Sequence, residues 1–144
     1  MSSTLTPERK APWHLWVVAI FALLWNAAGA WTIMMAQAGR LYDLEPGERT
    51  YYAAQPGWFV VLTDFTLVAA IAAALALLFR KKIAVWLFAL SLGGIFITNG
   101  YEFVAATSRA FVSRAALIVT VIIILIAIME LAYASAMRRR AVLR

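Results

Sequence analysis

Carboxylates inside long apolar stretches are the residues of this chain whose type and position could do chemistry, because an acid in hydrocarbon costs several kcal/mol unless paired, neutralised or hydrated. Two qualify, Asp64 and Glu130. Such acids serve proton relays and solute sites, or they hold helices together. Asp64 lies seven residues inside its stretch, at a depth of about 10 Å. The same rise puts Asn26 of the preceding stretch about 15 Å deep, one turn below Asp64. Asn99 and Glu102 belong to the same half, with Thr63, Thr98 and Tyr101. The expectation is an outer-half polar cluster with Asp64 at its centre and Asn26 at its floor, within reach of Arg109 and Arg114. Its bland counterpart is an Asn26–Asp64 hydrogen bond that only stabilises the bundle. Glu130 lies about 10 Å from the opposite end of its stretch, one turn from Tyr133 and two from Arg138–Arg140. It reads as a separate inner-half acid partnered by basic residues. The two acids are too far apart along the membrane normal to form a dyad.

The remaining chemistry is sparse. There is no cysteine and one histidine, His14, beside Trp13 and Trp16. Disulfides, thiol nucleophiles and zinc or iron–sulfur clusters are thereby excluded, and one histidine cannot supply a two-histidine haem site. His14 reads as an interfacial anchor. No phosphate-binding loop, hydrolase elbow or metalloprotease helix is present. The expectation is no enzyme and no cofactor.

The elements that must position these residues follow from composition. Of 144 residues 65% are hydrophobic and only 14% charged, with a mean hydropathy of +0.84. Soluble domains average roughly 45–50% and about 25%, so this is a membrane protein. A net charge of +6 would suggest nucleic acid in a soluble chain. Here the charges sit in short clusters between apolar runs, and no nucleic-acid partner is expected. A core of about 30 Å needs roughly 20 apolar residues. Four stretches suffice, 13–36, 57–79, 83–101 and 115–137, giving an all-α four-helix bundle as one integral membrane domain over 1–144. The first is too long, and ends too bulkily at Trp31, Met34 and Met35, for a cleaved signal peptide.

Loop charge orients the bundle. Arg9, Lys10, the Arg80–Lys82 turn and Arg138, Arg139, Arg140 and Arg144 make nine basic residues on one side, against Arg40, Arg49, Arg109 and Arg114 on the other. Both termini are therefore expected in the cytoplasm, with the Arg-rich tail as an orientation signal facing anionic lipid. The loop from 37 to 56 carries Asp43, Glu45 and Glu48 and is net acidic. Pro46 suits a first helical turn, and Tyr51, Tyr52, Trp58 and Phe59 suit an interface, so a short interfacial helix is expected there.

Small residues offer close packing: Ala69, Ala73 and Ala76 in the second span, Ala89, Gly93 and Gly100 in the third, and Ala30 with Gly29 beside Asn26 in the first. They read as contacts within the bundle more readily than as an oligomer seam. The two halves of the chain share no polar pattern, which disfavours an inverted-repeat transporter.

Trp25-Asn26-Ala27-Ala28-Gly29-Ala30, Pro56-Gly57-Trp58-Phe59, the Leu77–Lys82 turn running into Ala84–Ser91, and the segment from Tyr133 to Arg144 resemble the small uncharacterised four-span inner-membrane proteins of proteobacteria. Some of those carry an automatic "sugar transporter" label. The resemblance implies a bacterial inner membrane and four helices. This chain has Thr32-Ile33 where those proteins tend to have Asp-Tyr, so a mechanism resting on a first-span acid does not carry over. The functional expectation is a non-enzymatic accessory subunit or small homo-oligomer, partnered by lipid and by a larger membrane complex or copies of itself. The alternative is a small-solute or proton-coupled transporter using Asp64.

Overall fold

In the computed structural model, residues 10–42, 44, 46–105 and 114–144 are described. They form five helices: α1 (Trp13–Gln37), α2 (Pro46–Ala53), α3 (Gly57–Leu78), α4 (Ile83–Val104) and α5 (Arg114–Arg139). Four of these, α1, α3, α4 and α5, are long and apolar enough to cross a membrane. These helices lie close to the apolar stretches of the sequence, with α4 running three residues further and α5 one residue earlier and two later. The short helix expected in the first loop is α2, starting at Pro46 with Glu48 in its first turn.

Prolines stand immediately before α1 and α3, at Pro12 and Pro56, both extended. Three helices end alike. After α1, Gly39 takes a left-handed φ of 65°, with Gly39 N–H donating to Ala36 O at 3.0 Å and Arg40 N–H to Met35 O at 2.9 Å. That paired closure satisfies carbonyls the helix would leave open, and glycine adopts it without penalty. After α3 the left-handed position is Arg80 (φ 58°), and after α5 it is Ala141 (φ 56°). Both repeat the pairing, through Lys81 N–H to Ala76 O at 2.7 Å and Val142 N–H to Met137 O at 3.0 Å. Neither is glycine, so both positions are strained.

The main packing pairs are α3 with α4, α1 with α3, and α4 with α5. The order in space is thus α1, α3, α4, α5. Alanines let α3 lie centrally: Ala69 and Ala73 of the expected stripe are buried, with Ala70 and Ala74 beside them, while Ala76 is half-buried. Helix α3 approaches α4 closely at Thr66 and Gly94, where a Cβ added to the glycine would collide with Thr66 Oγ1 and sit 3.1 Å from Thr66 Cβ. For α4 the expected stripe is displaced. Gly94 makes the bundle contact, whereas Gly93 and Gly100 are exposed and a Cβ on either would meet nothing within 4 Å. Adjacent residues on a helix lie about 100° apart, so a register error of one turns a packed face outward.

The core lies toward the end of the bundle that holds the α3–α4 turn. There Leu15, Ala19 and Ala22 meet Ala73, Ala74 and Leu77, Ala84, Val85 and Phe88, and Ala134 and Met137. Val142 and Leu143 join them. The chain reverses at Ala141 and buries both side chains, while Arg144 N–H donates to Arg80 O at 2.6 Å and Lys82 N–H to Arg144 O at 2.8 Å. The end of the Arg-rich tail is thus docked on the α3–α4 turn.

Candidate functional site

Along one side of the bundle, α1 and α5 are joined by polar side chains. Asn26 Nδ2 donates to Glu130 Oε1 at 2.9 Å and to Ala22 O, one turn back in α1, at 2.8 Å. Both amide hydrogens are thereby committed. Toward the α3–α4 turn, His14 Nδ1 shares a hydrogen bond with Tyr133 OH, the rings meeting edge to face at 5.8 Å. Glu130 is only 8% exposed. It occupies the interior of the bundle, as an intramembrane acid must.

This arrangement corrects two expectations. Asn26 is the partner of Glu130 and donates nothing to Asp64, so it does not floor an Asp64 cluster. Glu130 bonds an amide on a neighbouring span, not the Arg138–Arg140 cluster.

The other expected members of the outer cluster disperse. Asn99 Nδ2 turns back on its own helix to Ile95 O at 2.8 Å, and Thr98 Oγ1 does the same to Gly94 O at 3.0 Å. Glu102 accepts a hydrogen bond from Tyr51 OH, which ties α2 to the end of α4. Burial first, and the Glu102 carboxylate second, push the Tyr51 phenol well above the usual tyrosine range. Burial also raises the Tyr52 phenol. Beside this link Tyr101 packs on Trp58 at 4.8 Å and on Phe59 at 5.4 Å. Arg109, Asp43 and Glu45 lie outside the described residues, as does the side chain of Arg114.

Asp64 stands apart from all of these. Its Oδ1 and the neighbouring Thr63 Oγ1 are buried without a hydrogen-bond partner among the described residues, as is Gln55 Oε1 just before α3. A buried acceptor without a donor is costly and calls for an explanation. Among the described residues no three His, Asp or Glu side chains converge as a metal set would require.

The hydrogen bond between His14 and Tyr133 joins residues for which the sequence offers no pairing signal beyond their both standing near the basic end. No protein-family model matches the chain, and neither a curated protein nor a solved structure matches it.

Proposed function

We propose that this protein is a non-enzymatic subunit of the bacterial inner membrane that acts by associating with other membrane-spanning chains, in the simplest case with copies of itself. The observation that carries this reading is the outward face of α4. Gly93 and Gly100 are exposed there and have open space around them. Phe96 and Ile97 stand exposed between them, with Trp86 and Leu90 at the start of the face. Small residues let a second helix approach closely, which is how spans associate where hydrocarbon offers no hydrophobic drive. Consistent with this, Asn26 and His14 of α1 are engaged with Glu130 and Tyr133 of α5.

In this reading both termini and the Arg80–Lys82 turn face the cytoplasm, where basic residues concentrate. Helix α2 lies at the outer interface with its tyrosines among the headgroups. Blue-native electrophoresis in mild detergent should show a species well above one 15.9 kDa chain plus its micelle; a strictly monomeric protein contradicts the reading.

Asp64 supports a second reading, a small-solute or proton-coupled transporter. Its partnerless Oδ1 beside Thr63 Oγ1 is the observation in its favour. Solute or proton flux into proteoliposomes that falls in Asp64→Asn while Glu130→Gln retains it would support transport through Asp64. Flux unchanged in both variants would end this reading.

A further inference from the structure

The basic turn between α3 and α4 is built more elaborately than a topology signal requires. Charge near the ends of the spans suffices to orient a helix hairpin, with no defined geometry. Here Arg80 is held in a left-handed conformation that glycine would adopt without strain. Four hydrogen bonds fix it: Arg80 N–H to Leu77 O at 3.0 Å, Arg144 N–H to Arg80 O at 2.6 Å, Lys82 N–H to Arg144 O at 2.8 Å, and Arg80 Nε to Val142 O at 3.1 Å. Burial of Val142 and Leu143 anchors the tail that takes part in three of these four bonds. The result is an open cleft of about 440 Å³ lined by Trp16, Leu78, Phe79, Arg80, Lys81 and Arg144. That volume falls within the usual range of ligand-holding clefts.

Its chemistry is divided. Arg80, Lys81 and Arg144 present cations, while Trp16, Leu78 and Phe79 present an apolar wall at the level where spans give way to headgroups. Phosphate oxygens suit the cations, guanidinium groups above all. Only a phosphate that carries an apolar chain uses the wall as well. We propose that this cleft is a binding site for the phosphodiester headgroup of an anionic phospholipid, with Arg80, Lys81 and Arg144 on the phosphate and Trp16 and Phe79 against the glycerol and upper acyl chain. The inference rests on the membrane placement of the four spans and is independent of association through α4.

Native mass spectrometry of the full chain, with phosphatidylglycerol and phosphatidylcholine offered together, tests it. Phosphatidylglycerol should be retained in preference, and Lys81→Gln and Arg144→Gln should each reduce that preference about fivefold. Arg144→Gln keeps the backbone bonds that dock the tail, so the fold should survive, and an unchanged melting temperature without lipid checks this. Arg138→Gln and Arg139→Gln, cations near the same end that do not line the cleft, should leave the preference intact. Equal loss from all four variants would mean diffuse surface charge and overturn the site. Equal retention of the two lipids would overturn it as well. Displacement of the lipid by millimolar inorganic phosphate would show that the cations bind free phosphate and that the wall contributes nothing, contrary to the proposal.

Discussion

Asn26 Nδ2 lies 2.9 Å from Glu130 Oε1, joining α1 to α5 inside the membrane-spanning part of the bundle. The carboxylate is buried and Asn26 is its hydrogen-bond donor. Asn26→Leu should therefore cost about 2 kcal/mol, chiefly by orphaning Glu130. Glu130→Gln keeps an acceptor oxygen and should cost less than about 1 kcal/mol. The double variant Asn26→Leu/Glu130→Leu should be more stable than Asn26→Leu alone. Reversible unfolding in mixed micelles measures all three, and a double variant no better than the single would refute the pairing.

The α3–α4 contact makes an independent prediction. Gly94→Ala forces a methyl group into Thr66, and overpacking of this kind costs roughly 1–3 kcal/mol. Thr66→Ala in the same chain should return part of that loss by removing Oγ1. Gly93→Ala, one residue away and facing open space, should leave the melting temperature of the isolated chain unchanged.

Much of this was legible in the amino-acid order, and what was not had particular causes. Apolar runs bounded by Lys10 and Arg40 and by Pro56 and Arg80 mark two of the helices to within a few residues, because crossing a bilayer leaves little freedom of length. Pro46 and Glu48 mark the start of α2. Partners were harder. Depth counting puts Asn26 one turn from Asp64, yet the same count puts it about 5 Å from Glu130 along the membrane normal. Depth cannot choose between the two, because the choice depends on which helices are neighbours. Gly93 and Gly94 present the same difficulty on α4: both are small, and only the rotation of the helix decides which meets Thr66. The docked tail gave no signal, since Val142 and Leu143 between arginines resemble any short basic end.

That tail has its own test. Leu143 is 2% exposed, and Leu143→Ala should destabilise the fold by about 2 kcal/mol. It should also raise hydrogen exchange at the Lys82 amide, which donates to Arg144 O. Ala141→Gly relieves a left-handed alanine and should be neutral or stabilising by up to about 1 kcal/mol. A marked loss of stability in Ala141→Gly would contradict the strain assigned to that position.

The Tyr51–Glu102 link predicts a pH dependence at the other end of the molecule. The docked state holds the phenol proton more tightly than the undocked state, because Tyr51 is raised by burial and by the carboxylate. Docking of α2 should be fully stable below about pH 10 and weaken as the pH rises further, the undocked tyrosine ionising first. Tyr51→Phe removes the hydrogen bond and should loosen α2 already at neutral pH. Hydrogen exchange across residues 46–53 reads both effects. Weakening between pH 6 and pH 9 would assign the dependence to some other group.

Association through the outer face of α4 is the central claim, and subunit counting by single-molecule photobleaching in lipid bilayers tests it most directly. The wild-type chain should bleach in two or more steps. The Gly93→Leu/Gly100→Leu variant should bleach in one, with an unchanged melting temperature, because both positions face open space in the isolated bundle. Single-step bleaching of the wild type, or multi-step bleaching that survives both leucines, would contradict it.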